Sequence, residues 1–207
     1  MIVQESIIFI VGILAGFLWS TVGGGGMIAI PVLLFLGFPP QSAIAINKVG
    51  DIWAFTSAIS QYRKSKKIDW KMAIPLAGIV IIGSIIGTQI MVRVETHTLE
   101  MLIGIMILFF LPFFYFSNHI GTTQQKTSKY KKIIGIILYT LLSIEGAIIG
   151  AGGATVILIV MMYFFGYEII QGYATNTPAE LFSALVPAII YWFYGFIPMD
   201  SFHCGLR

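Results

Sequence analysis

The sequence predicts an all-α, polytopic membrane protein built from inverted-topology repeats with glycine-broken short helices, the second repeat truncated. Three observations predict it. Of 207 residues, 57% are hydrophobic and only 10% are charged, whereas a soluble domain holds about 45–50% apolar and about 25% charged residues. Two glycine-rich stretches, Gly23-Gly24-Gly25-Gly26 and Gly150-Ala151-Gly152-Gly153, interrupt apolar runs that otherwise read as continuous helices. A single ungapped shift of 129 residues superposes the rare landmarks of the two halves: Gly23-Gly24 on Gly152-Gly153, Gly37 on Gly166, Ala45 on Ala174, Asn47 on Asn176, Asp51 on Glu180 and Tyr62 on Tyr191.

Charge placement excludes several function classes. The net charge is +3, yet nine of the twelve basic residues fall in two short stretches, Arg63 to Lys71 and Lys126 to Lys132. That clustering is the signature of cytoplasmic loops and not of a nucleic-acid surface; a lipid-headgroup patch is compatible with it. Cys204 is the only cysteine, and His97, His119 and His203 are scattered over loops and tail. No disulfide framework, metal site or cofactor is expected. The first apolar stretch, Ile7 to Val22, lacks a basic leader and is followed by further apolar segments, so it reads as a retained helix.

Taken in order, a first helix is predicted over 6–22, with Gly12 and Gly16 at a spacing that suits close helix approach. The apolar run 27–38 is too short to span: a dozen residues rise roughly 18 Å against a hydrocarbon core of ~30 Å. Gly37-Phe38-Pro39-Pro40 ends it, since proline cannot continue a helix. A spanning helix follows over 41–62, then the basic loop 63–71, a helix over 72–92 with Gly83 and Gly87 on one face, a turn over 93–98 and a helix over 99–116 with a kink at Pro112. The aromatic run Phe109, Phe110 and 113–116 reads as a lipid-facing belt. The polar stretch 118–132 is the linker. A helix over 133–149, a short apolar segment over 154–165 and a helix over 169–194 complete the chain. The domain reading is therefore 1–117 first repeat, 118–132 cytoplasmic linker and 133–207 second, incomplete repeat.

With both basic stretches inside, the 93–98 turn and the N-terminus lie outside, and the helix at 41–62 runs opposite to its counterpart at 169–194. Inverted halves of this kind permit alternating access around a central site, and short or glycine-interrupted segments at matching places mark that site. Counterparts of the two helices at 72–116 would fall at about 201–245 by the same shift, beyond Arg207. The truncation predicts small or polar residues of the helices at 133–149 and 169–194 exposed on one flank.

The glycine run with Pro31 after it, Ala45-Ile46-Asn47-Lys48, the basic loop ending Ile68-Asp69-Trp70, and Gly83 with Gly87 together resemble the TauE/SafE sulfite-exporter family, over essentially the whole chain. The resemblance implies a secondary transporter, in the inner (plasma) membrane, for small sulfur-containing anions such as sulfite and sulfonates. Its partners would be the lipid bilayer, a small anionic substrate and, for an oligomer, further copies of the chain.

Each candidate residue has a functional and a plain alternative. Gly23, Gly24, Gly25 and Gly26, with Gly152 and Gly153, put free N–H groups at the start of a half helix, where donors and dipole favour an anion; close packing is the alternative. Lys48 is a basic residue inside a span and a functional candidate by default, unless it snorkels to the outer interface. Asn47 and Asn176 could donate to substrate oxygens or to a neighbouring helix. Asp51 and Glu180 are candidate proton-coupling carboxyls, Asp51 also reading as a counter-ion of Lys48 at i, i+3. Glu145, one turn before the second break, is the stronger proton carrier. An intramembrane enzyme needs a convergent nucleophile and base, and no histidine lies in a span. A passive anion channel would use the same glycine backbone without alternating access.

Overall fold

The computed structural model describes residues 8–17, 25–116, 127–150 and 153–197, the side chains of 111–116 excepted. Among them are eight helices and no strand: α1 Ile8–Phe17, α2 Gly26–Phe35, α3 Pro40–Lys64, α4 Trp70–Met91, α5 Thr96–Phe116, α6 Lys129–Ile148, α7 Gly153–Tyr163 and α8 Ile169–Phe193. The protein is all-helical.

Local chemistry sets the boundaries. α2 and α7 are short, 10 and 11 residues, or about 15–17 Å. α2 stops at Gly37 (φ +87) and α7 at Gly166 (φ +81), glycines in the left-handed region that closes a helix. Pro39 and Pro40 then open α3, with Pro40 at the first helical position, where its missing N–H costs nothing. α3 and α8 are both 25 residues long and start 129 residues apart. They also end alike: Lys66 (φ +54) and Gly195 (φ +73) follow them. The next N–H reaches back five residues each time, Lys67 to the Tyr62 carbonyl (3.3 Å) and Phe196 to the Tyr191 carbonyl (3.0 Å).

The outer faces of the helices are apolar, and polar side chains are buried among the apolar core. Phe35, Phe193 and Trp53 are 91%, 82% and 76% exposed, while Asn47, Lys48, Asp51, Asn176, Thr177 and Glu180 are all buried. Water would not sustain that partition; lipid does. α4 is the helix long and apolar enough to cross a membrane by composition alone. It forms the spine, packed against both α6 and α8, while α8 also packs against α3. A Cβ on Gly83 would collide with Ser143 Oγ, and one on Gly87 with the Ile144 carbonyl and Ala147 Cβ. The two glycines therefore let α4 and α6 touch.

Several expectations are corrected. Gly12 and Gly16 have nothing within 4 Å of where a Cβ would be; they border a cavity instead of a helix. Lys129 to Lys132 belong to α6 and not to the linker, because Ser128 caps the helix by accepting from Lys131 N–H. Phe110 is 3% exposed and lies in the core, whereas Phe109 faces outward; 113–116 lie outside the described side chains. The residues that α6 exposes within its apolar run are Ile133, Ile136, Ile137 and Leu141, and those that α8 exposes are bulky and apolar too. Gly135, Ser143 and Ala147 of α6 and the run from Ala174 to Glu180 in α8 are buried, and α4 packs against both helices.

Candidate functional site

The two glycine breaks meet. A Cβ on Gly26 would lie 2.7 Å from the Gly150 carbonyl oxygen and 3.4 Å from Asn47 Nδ2. Backbone therefore touches backbone across 124 positions of sequence, an approach only glycine permits. Gly25 caps α2 without any side-chain hydrogen bond, so the first-turn N–H groups of α2 have no side-chain acceptor. On the other side, Gly150 turns the chain at φ +72 after α6 and before α7. Gly23, Gly24 and Gly152, also expected here, lie outside the described residues.

Lys48 reaches into this junction. Its Nζ would lie 3.0 Å from a Cβ on Gly150, and the residue is 3% exposed. It does not snorkel. Asn47 Nδ2 donates to Asp51 Oδ2 at 3.0 Å, and the Lys48 ammonium lies beside Gly150. Both Asn47 and Asp51 line a cavity of ≈ 180 Å³ between α1, α2 and α3. A second cavity of ≈ 370 Å³ continues past Gly16 to Tyr62 and Tyr173, whose rings meet edge-on at 5.9 Å.

In α8 the equivalent pair makes the same bond: Asn176 Nδ2 donates to Glu180 Oε1 at 3.1 Å. It is tied further. Tyr139 of α6 donates its hydroxyl to Asn176 Oδ1 at 2.6 Å, and Ser183 donates to Glu180 Oε2 at 2.7 Å. Asn176 lines neither of the two cavities just described. Pro178, between Asn176 and Glu180 in α8, removes an N–H and leaves the Ala174 carbonyl without its helical donor.

Glu145 stands apart. Both carboxylate oxygens are buried with no hydrogen-bond partner, and a Cβ on Gly153 would strike Oε2. The carboxyl thus sits against the first residue of α7. Among the described residues no cluster of His, Cys, Asp and Glu could hold a metal ion.

Sequence reasoning missed Tyr139, whose signal was a tyrosine in mid-helix, away from any interface where its hydroxyl would find water. It also missed a latch at the basic-loop end. Tyr167 donates to Asp69 Oδ2 at 2.8 Å, Asp69 N–H donates to Thr175 Oγ1 at 3.1 Å, and Lys67 pairs with Glu168 at 3.3 Å. Burial, then the bond to Asp69, raises the Tyr167 phenol above its ordinary range.

This all-helical chain, with half helices meeting at glycine beside a buried lysine, matches the sequence model of the sulfite exporter TauE/SafE family over residues 8–204. The chain belongs to that family. It is 24% identical over 201 residues to a protein of Haemophilus influenzae named "Probable membrane transporter protein", covering 94% of this chain and 79% of the relative. A Sinorhizobium relative with the same designation, ORF9, is 23% identical over 91% of this chain and 72% of its own length. The Escherichia coli K12 relative YfcA is 22% identical over 97% and 77%. No solved structure matches. As a TauE/SafE member with relatives named as transporters, the chain is a membrane protein of transporter kind.

Proposed function

We propose that this TauE/SafE chain is a secondary transporter that carries a small sulfur-containing or organic anion, such as sulfite or a sulfonate, across the cytoplasmic membrane. Its two 129-residue-related units are the inverted halves that exchange access to one site. The observation that carries the reading is the junction of Gly26 with Gly150, where a buried Lys48 and the Asn47 amide converge on backbone at the heads of two half helices. A lysine charge held away from water is costly unless something negative answers it. The start of α2, which no side chain caps, offers an oxyanion the positive end of a helix dipole. Asn176, in the second half, is the corresponding amide, and Asp51, Glu180 and Glu145 are the carboxyls available to carry a coupling proton.

The test is uptake into proteoliposomes with sulfite, sulfate, thiosulfate and sulfonates, with and without a pH gradient. Saturable flux with counterflow is expected for at least one anion. Flux that does not saturate and shows no counterflow would indicate a passive channel, and no flux of any anion would overturn the reading. Lys48→Met should weaken anion binding by tenfold or more, a loss of about 1.4 kcal/mol, while Lys48→Arg keeps the charge and part of the affinity. Equal binding by wild type and the Met variant would remove Lys48 from the site.

A further inference from the structure

Three carboxyls lie buried near the junction, and two of them are held by neighbours. Asp51 accepts from Asn47, and Glu180 accepts from Asn176 and Ser183. Glu145 has neither oxygen bonded, both oxygens are out of reach of solvent, and Oε2 bears on Gly153. Gly153 opens an 11-residue helix, whose positive dipole end stabilises one nearby negative charge. Glu145 therefore already stands where an anion at the second break would bind.

The surroundings restrict its charge state. Lys48 from α3 is the cation and Glu180 from α8 the anion whose charges act on Glu145; α3 also brings Asp51, held by Asn47. α4 packs along this stretch of α6 through Gly83 and Gly87, and its only charged residue is Lys71 at the far start. α7 carries no charged residue. Two negative charges sharing one helix terminus and one lysine, in a poorly screened interior, repel each other strongly. A carboxylic acid in the same place is neutral and gains an O–H donor.

We propose that the Glu145 carboxylate is a tethered stand-in for the transported anion, and that substrate replaces it only as Glu145 takes up a proton. The proposal rests on the transporter reading above and adds the coupling: one proton binds Glu145 for each monovalent anion that enters. The proton comes from hydronium in the bathing solution, whose O–H bond breaks as the O–H bond on Glu145 forms, and the loaded and empty junctions carry equal charge. Proton and anion then cross together.

The test uses purified full-length protein in nanodiscs with methanesulfonate and ethanesulfonate, monovalent anions of strong acids that do not themselves titrate near neutrality. Wild-type affinity should fall by up to about tenfold per pH unit at alkaline pH, above the point where Glu145 of the unloaded protein gives up its proton. Binding to weakly buffered wild type should take up about one proton per anion. Glu145→Gln, which keeps shape and neutrality, should bind with little pH dependence and at least as tightly as wild type does at acid pH. The infrared band of a protonated carboxyl should appear on anion binding to wild type and be absent in the variant. Anion binding to wild type without proton uptake, or an unchanged pH slope in Glu145→Gln, would overturn this inference and leave the transporter reading standing. Absence of binding to either protein at every pH would overturn both.

Discussion

In α3, Asn47 donates to Asp51 one turn on; in α8, Asn176 donates likewise to Glu180, at 3.0 and 3.1 Å. The bond is the same in both helices, and the surroundings differ. The α3 pair lines a cavity, has Lys48 beside it and stands next to Gly26. The α8 pair has Thr177 at the lysine's place, and is stitched to Tyr139 and Ser183. A buried polar network with every member bonded holds a structure in one arrangement, and one with room beside it can exchange partners. On the proposed function, the α8 pair anchors and the α3 pair meets the ligand.

The largest expected effect comes from the junction that joins the halves. Gly26→Val would drive a branched side chain into the Gly150 carbonyl, so a loss of roughly 1–3 kcal/mol or more is expected, together with loss of transport. Gly78→Ala, with nothing within 4 Å, is the control and should be neutral or gain up to about 1 kcal/mol. Unfolding of the purified proteins in detergent reads both; equal behaviour of the two variants would mean the breaks do not touch.

Next comes the comparison of the two asparagines. Asn176→Leu orphans the Tyr139 hydroxyl and takes a donor from Glu180, and should cost about 2 kcal/mol; Asn47→Leu removes the bond to Asp51 beside a cavity and should cost about 1 kcal/mol or less. Substrate affinity should order the other way, with Asn47→Leu the more damaging. If Asn47→Leu unfolds more readily and binds normally, the assignment of anchor and contact is reversed.

The smallest effect belongs to the latch. Tyr167→Phe should cost about 0.5–1 kcal/mol, since the bond to Asp69 is only partly shielded. The raised phenol means the folded state holds its proton more tightly than the unfolded chain does. Its contribution is complete below about pH 10 and declines as pH rises through the folded value. The difference between wild type and Tyr167→Phe should therefore stay constant from about pH 6 to 9. A difference that vanishes within that range would show that Tyr167 does not donate to Asp69 in the folded protein.

Much of this arrangement was legible because it rests on local punctuation. Pro39-Pro40 and Gly166 gave the starts of α3 and α8 to within a residue, and the short apolar runs gave the half helices. The Asn47–Asn176 correspondence came from rare residues at one shift. What escaped depends on contacts between elements. Tyr139 has no counterpart in the first half, where the shift falls on Ile10, so the repeat could not reveal it. Asp69, Tyr167 and Thr175 come from three separate segments and are joined only by folding. The start of α6 was misplaced because Lys129 to Lys132 read as linker charge, although Ser128 three residues ahead of Lys131 was a capping signal in plain view. Gly12 and Gly16 carried a packing pattern that a cavity also satisfies.

The meeting of Gly26 and Gly150 has a consequence for how such a protein is written down. Every peptide unit carries the same amide and carbonyl, so a contact made of backbone alone selects no particular side-chain chemistry. It discriminates by bulk: alanine, serine and aspartate are refused for the same missing space, whatever their polarity. The chain specifies this joint by omission. A residue's contribution is then measured by what it leaves out, and a position that admits one residue type has the least to recognise.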